Sequence, residues 1–146
     1  MAKHAHGSST ADELRRAAGF RTELRRFLHA SEAIAVQEGL TPERYDLLLM
    51  IKAAAETNKP ATVTSLIDML DLRQQAVTEL VKRAIEAGLV VREPSNEDGR
   101  VHHLRLTGDG EARLTRAFQT LSDDRAALAE AFDRLDLHFR ASTEPP

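Results

Sequence analysis

Residues 73–106 read RQQAVTELVKRAIEAGLVVREPSNEDGRVHHLRL, and this stretch decides the fold. From about Arg73 to Ala87, the residues Ala76, Val77, Leu80, Val81, Ala84 and Ile85 gather on one side at about 100° per residue. Gln75, Thr78, Glu79, Lys82 and Glu86 fall on the other side, with Arg83 at its edge. Gly88 closes this helix. Leu89 to Glu93 changes period, Pro94-Ser95-Asn96-Glu97-Asp98-Gly99 is a turn cluster, and Val101 to Leu106 alternates. His102, Leu104 and Leu106 share one strand face, while Val101, His103 and Arg105 share the other. An amphipathic helix thus runs into a β-hairpin with a polar tip.

Working outward, Thr64 can cap a short helix carrying Leu66, Ile67 and Leu70, and a brief turn at Asp71-Leu72 joins it to the amphipathic helix. Two helices joined so tightly form a helix-turn-helix. Asn58-Lys59-Pro60 breaks the chain before it, and Ala61 to Thr64 reads as a very short strand. Thr41-Pro42-Glu43 opens the preceding helix with a cap, a proline at the first turn and an acid. Tyr45 to Ala55 is apolar almost all round, so this helix is the buried central one. Upstream, Asp12 to about Gln37 is helical, with Leu14, Phe20, Leu24, Phe27, Leu28, Ile34 and Ala35 at helical spacings, and Gly39 ends it.

Downstream, Thr107 caps a final helix with Asp109 and Glu111 in its first turn. Leu114, Phe118, Leu121, Leu128, Phe132, Leu135 and Phe139 follow steps of four and three, interrupted only by Arg125. Nothing between Gly110 and Phe139 forces a break, which predicts one long helix, or a long helix with a stunted second. Such a stripe pairs with something, often a second copy. The fold class is therefore mainly α with a small β-hairpin wing. A winged helix-turn-helix core over about 41–107 is flanked by dimerisation helices over about 11–38 and 108–140. Residues 11–140 form a single domain after a disordered tail at 1–10, and Ser142 to Pro146 is loose.

The 146 residues are 42% hydrophobic and 29% charged, the composition of a globular domain and not of a disordered tail. There is no Cys, which excludes a disulfide scaffold, a thiol nucleophile and a Cys-ligated zinc site. The densest apolar run, Leu47–Ile51, stops at Lys52, far short of the roughly 18 residues a membrane span needs. The polar start, Met1 to Thr10, has no apolar core of a secretion signal, so the expected location is cytoplasmic. His102 and His103 are adjacent on a strand and point to opposite faces, so they do not share a metal. Gly-rich phosphate loops, a His-Glu-x-x-His pair and a nucleophile elbow are all missing, which argues against an enzyme. No cofactor is implied.

The outward residues of the amphipathic helix carry base-reading chemistry. A major groove about 12 Å wide admits one α-helix; Gln pairs with adenine, Lys with guanine, and Glu accepts from cytosine N4. Gln75, Thr78, Glu79 and Lys82 form such a set. Arg100 at the hairpin tip can enter a minor groove, with Asp98 bracing its guanidinium. Against this stands the charge balance. The net charge is −3, and residues 73–105 hold six Lys or Arg against five Asp or Glu. A winged-helix module that binds proteins and not DNA is therefore the alternative.

These features resemble the MarR-type transcriptional regulators. The resemblance rests on Gly39-Leu40-Thr41-Pro42, on Ala76-Val77-Thr78 with Leu80-Val81 and Arg83, and on Gly88-Leu89-Val90 with Arg92. Its strongest stretch is Asp98-Gly99-Arg100 followed by Leu106-Thr107 and Gly110, and it covers about Phe20 to Leu121. The family commonly has Gly where this chain has Asp71, and a small capping residue where it has Arg73. The tail beyond Thr107 is short for the family's usual two C-terminal helices. The resemblance implies a homodimer on a pseudo-palindromic double-stranded DNA operator, acting as a repressor. The candidate DNA-binding set is Arg73, Gln74, Gln75, Thr78, Glu79, Lys82, Arg83, Asp98 and Arg100. It also implies a small aromatic ligand between the dimer helices and the winged core, with Phe27, Tyr45, Met50 and Phe118 as candidate wall residues; plain core packing is the competing role for each.

Overall fold

The structure is a computed structural model that describes residues 5–141, with side chains described over 10–135. Its elements are α1 (Ala5–Gln37), α2 (Pro42–Glu56), α3 (Val63–Leu70), α4 (Gln74–Glu86), β1 (Val90–Pro94), β2 (His102–Leu106), α5 (Gly108–Thr120) and α6 (Ser122–Ala141). The chain divides into two compact units. One spans residues 32–120; the other joins residues 1–31 and 121–146.

The first unit is built on α2, which packs against α3, α4, α5 and β2. Thr41 caps it, its hydroxyl accepting from the Arg44 N–H at 3.2 Å, and Pro42 opens its first turn. Leu47, Leu48 and Ile51 are almost fully buried along it. Each such side chain stabilises the fold by about 1.5–3 kcal/mol. Val77, Val81 and Ala84 from α4, Leu66 from α3, and Leu89, Val90 and Leu104 from the hairpin close the same core. Lys52 links α2 to α5 by pairing with Glu111 and with Glu56 one turn on. The hydrogen bonds to Glu111 and then Glu56 raise its ammonium pKa.

The cap of α3 sits at Thr62, two residues before the expected Thr64. Thr62 and Ser65 form a reciprocal capping box: the Thr62 hydroxyl accepts from the Ser65 N–H, and the Ser65 hydroxyl from the Thr62 N–H. Because Thr62 begins the helix, the short strand expected there shrinks to one bridge, in which the Leu104 N–H donates to the Ala61 carbonyl at 2.8 Å. The hairpin pairs Val90 with Leu106 and Pro94 with His102. Thr107 then does three things. Its N–H donates to the Leu89 carbonyl, its hydroxyl donates to the Gly88 carbonyl, and that hydroxyl accepts from the Gly110 N–H to cap α5.

Two expectations are corrected. α1 begins at Ala5 and not at Asp12, so residues 5–10 of the expected tail are helical. Adding a residue to an existing helix costs far less than nucleating one. Residues 1–4 lie outside the described residues. The C-terminal region is two helices broken at Leu121, and the second, of 20 residues, is longer than the first, of 13. Ser122-Asp123-Asp124 is a polar, acidic helix start that outweighs the unbroken apolar stripe.

The second unit contains the first part of α1 and all of α6. Phe20 of α1 stacks on Phe132 of α6 with ring centroids 4.8 Å apart, and Ala131 is buried. Leu14 and Leu28 of α1 remain 67% and 48% exposed, a large apolar area to leave in water. Phe139 lies outside the described side chains.

Candidate nucleic-acid interface

The helix α4 has two faces. Val77, Val81 and Ala84 are fully buried, and that anchors the helix without using any polar group. Gln74, Gln75, Thr78, Glu79, Lys82 and Arg83 are all exposed on the remaining surface. Gln75 and Lys82 lie within about 20° of each other on the wheel, at the middle of that surface. Glu79 does not stand alone: its carboxylate accepts from the Arg83 Nε at 3.1 Å, one turn on. The pair is locally neutral, so the acid weighs less against an anionic partner than the sequence count implies. The same bond uses one of the lone pairs that the cytosine-reading role would need.

The turn before α4 is tight. Asp71 caps α3 in the left-handed conformation, φ 52°, ψ 46°, which is where glycine is otherwise favoured. Arg73 is the N-cap of α4 and makes no side-chain cap bond. The turn thus forms with Asp71 in the left-handed conformation and with no side-chain cap from Arg73. The uncapped first-turn N–H groups, with the positive end of the helix dipole, suit a phosphate oxygen.

The wing tip is held by its own short bonds. Ser95 N–H donates to the Val101 carbonyl at 2.8 Å, and Val101 N–H to the Asp98 carbonyl at 3.0 Å. The Ser95 hydroxyl accepts from the Glu97 N–H at 3.2 Å. Asp98 accepts from the Arg100 backbone N–H at 3.0 Å. This corrects one expectation: Asp98 braces the backbone at Arg100, and no ion pair among the described residues involves the Arg100 guanidinium. Gly99 is not in the left-handed region, so the tightness of the tip comes from Ser95 and Asp98 and not from glycine freedom. The sequence places Ser95 in the turn cluster but not its role as acceptor, although a Ser with an acid three residues on marks such a turn. At the wing root, Arg105 pairs with Glu93 at 2.8 Å.

The four ligand-wall candidates are spread over both units. Tyr45 is buried in the α2 core, Met50 is half-buried on the same helix, and Phe27 belongs to the other unit. Phe118 is 42% exposed and lines an open recess of about 480 Å³ with Leu49, Lys52, Ala53, Leu114, Thr115 and Gln119. Among the described residues no helix is long and apolar enough to cross a membrane.

A short turn between α3 and α4, an exposed polar face on α4 and a two-stranded hairpin after it define a winged helix-turn-helix protein. Comparison with known proteins narrows the class. Residues 38–101 match the model of the MarR family. A Thauera aromatica protein described as a transcriptional regulatory protein for the hcr operon is 30% identical over 138 residues, covering 90% of this chain and 78% of that protein. The chain belongs to the MarR family. Among solved structures, a MarR-family transcription regulator shares the fold with TM-score 0.72 at 24% identity, over 95% of this chain and 89% of that one. Mutant MarR from E. coli complexed with operator DNA gives TM-score 0.66 at 20% identity, over 85% and 90% of the two chains.

Proposed function

We propose that this chain is a homodimeric transcriptional repressor that reads a pseudo-palindromic double-stranded DNA operator. The observation that carries the reading is the α4 surface: a helix fixed by buried Val77, Val81 and Ala84 that exposes Gln75, Thr78 and Lys82 together. Gln and Lys at that place hydrogen-bond adenine and guanine edges, while Arg73, Gln74, Arg83 and the α4 N–H groups meet phosphates. Arg100 supplies a minor-groove charge from the wing tip. That mutant MarR from E. coli, similar in fold, is complexed with operator DNA supports a DNA partner.

The support for the dimer is the exposure of Leu14 and Leu28, which lie about 40° apart on the α1 wheel and leave apolar surface for a second copy to cover. Sedimentation tests it: Leu28→Asp gives a monomer, and a variant that stays dimeric places the interface elsewhere. A dimer seated on an operator represses by occupying it. The recess beside Phe118 is the place for a small aromatic effector, its ring against Leu49, Ala53 and Leu114. The near-neutral balance around α4 favours a second reading, a protein-binding winged helix. Selection of bound duplexes from a random pool at low salt separates the two. A two-fold symmetric consensus is expected, and no enrichment above random DNA leaves the protein-binding module.

A further inference from the structure

We propose that Glu79 is a positioning residue: it aims the Arg83 guanidinium at a backbone phosphate of the bound DNA and reads no base itself. The assignment rests on the DNA-reading function proposed above.

An acid near the middle of a DNA-facing surface needs a physical reason. Glu79 lies about 40° from Gln75 and about 60° from Lys82 on the α4 wheel, with Arg83 about 40° beyond it at the edge. Gln75, Lys82 and Arg83 are three or four residues away, so each is within reach of its carboxylate. The structure selects Arg83, whose Nε donates to Glu79 Oε1 at 3.1 Å. No ion pair among the described residues involves Lys82. A glutamate four residues before its cation is the favoured order on a helix. The two cations of α4 are thus sorted. Lys82 stays free at the centre of the face, where base edges lie. Arg83 is held at its edge, where a helix in the major groove passes the phosphates.

The way Arg83 is held decides what it can do. A guanidinium has five N–H donors and one carboxylate takes at most two of them, so at least three remain for a phosphate. Engaging Nε fixes the plane of the fork, and less freedom is then lost when a phosphate is gripped. The pairing also neutralises the carboxylate once the groove excludes water; a bare one there is repelled by the phosphates. With the Arg83 and Glu79 side chains 63% and 51% exposed, the pair adds little to the stability of the free protein. Its orientation matters once an anion is bound.

The test is a sign. Wild type, Glu79→Ala, Arg83→Ala and the double variant are titrated against the selected duplex. Removing the acid with Arg83 present weakens binding about 3- to 10-fold, although it removes a negative charge. Removing it from Arg83→Ala strengthens binding about 2-fold or more, because the carboxylate is then unneutralised. Glu79→Gln, whose amide oxygen can still accept from Nε, falls between wild type and Glu79→Ala. A scan of the duplex with single methylphosphonates finds one position where wild type loses affinity and both Glu79→Ala and Arg83→Ala do not. Tighter binding by Glu79→Ala in both backgrounds overturns the assignment and leaves simple repulsion. A loss confined to one C·G pair and independent of Arg83 overturns it in favour of base reading. A wild type that enriches no duplex removes the DNA reading and this assignment together. A selected consensus without the change of sign removes this assignment alone.

Discussion

The helix α4 and the wing tip present similar polar side chains but are held in opposite ways. α4 owes its position to Val77, Val81 and Ala84 buried beneath it, and its exposed Glu79 and Arg83 bond only to each other within the helix. The tip at residues 95–101 has no buried side chain, and its shape comes from hydrogen bonds made within itself. A surface fixed from below can keep several donors and acceptors in register with base edges. A surface fixed only by local bonds can deliver a charge but is a poor template for a pattern. In the function proposed above, base discrimination therefore falls to α4 and electrostatic affinity to the wing.

The sharpest break of this comparison is a pair of substitutions. Val81→Asp buries an unpaired carboxylate under α4 and should cost several kcal/mol, enough to unfold the winged unit in a thermal melt. Gly99→Ala at the tip meets nothing within 4 Å, and its stability should stay within about 0.5 kcal/mol of wild type. Equal melting temperatures for the two variants would erase the distinction.

Next in size is Gly110→Ala, which probes where the wing is rooted. A Cβ there would lie 2.2 Å from the Leu89 carbonyl oxygen, the same atom that accepts from Thr107. Because the obstacle is backbone, the first turn of α5 must move away from the start of the hairpin. The expected cost is about 1–3 kcal/mol, read by denaturant midpoint at unchanged slope. Wild-type stability would mean that α5 and the hairpin are not so closely fitted.

Much of this was legible from residues alone. The apolar positions of α4, the polar hairpin tip and the Pro42 start are local patterns with local causes, and the structure follows them. The placement of Thr107 as a cap was legible for the same reason. What escaped depended on choices between competing local signals or on distant partners. Thr62 and Thr64 are both plausible caps, and only the reciprocal bond with Ser65 decides between them. The break at Leu121 was hidden by a stripe that runs straight across it, although Ser122-Asp123-Asp124 marked a helix start. At the candidate site, the outward set on α4 was legible from the wheel. The Glu79–Arg83 pair was available at spacing four, but the bond of Asp98 to the Arg100 backbone required the turn geometry. Arg113 and Arg116 meet Glu38 more than 70 residues away, and no periodicity announces such a contact.

A smaller effect lies in the turn that sets α4. Asp71 holds a left-handed conformation that glycine adopts without penalty. Asp71→Gly should be neutral to stabilising, by up to about 1 kcal/mol, and Asp71→Ala destabilising by a similar amount. If Asp71→Gly instead lowers the melting temperature by several degrees, the aspartate side chain has a role of its own in the turn.

The central claim, that α4 reads bases while the wing supplies charge, is tested most directly by one titration. Wild type, Gln75→Ala, Lys82→Ala and Arg100→Ala are titrated against the selected duplex and a scrambled duplex at several salt concentrations. The account predicts that Gln75→Ala and Lys82→Ala each lose about 1–3 kcal/mol of discrimination between the duplexes. It predicts that Arg100→Ala weakens both duplexes alike and lowers the slope of log affinity against log salt by about one. Loss of discrimination at Arg100, or equal loss on both duplexes at Gln75 and Lys82, would contradict it.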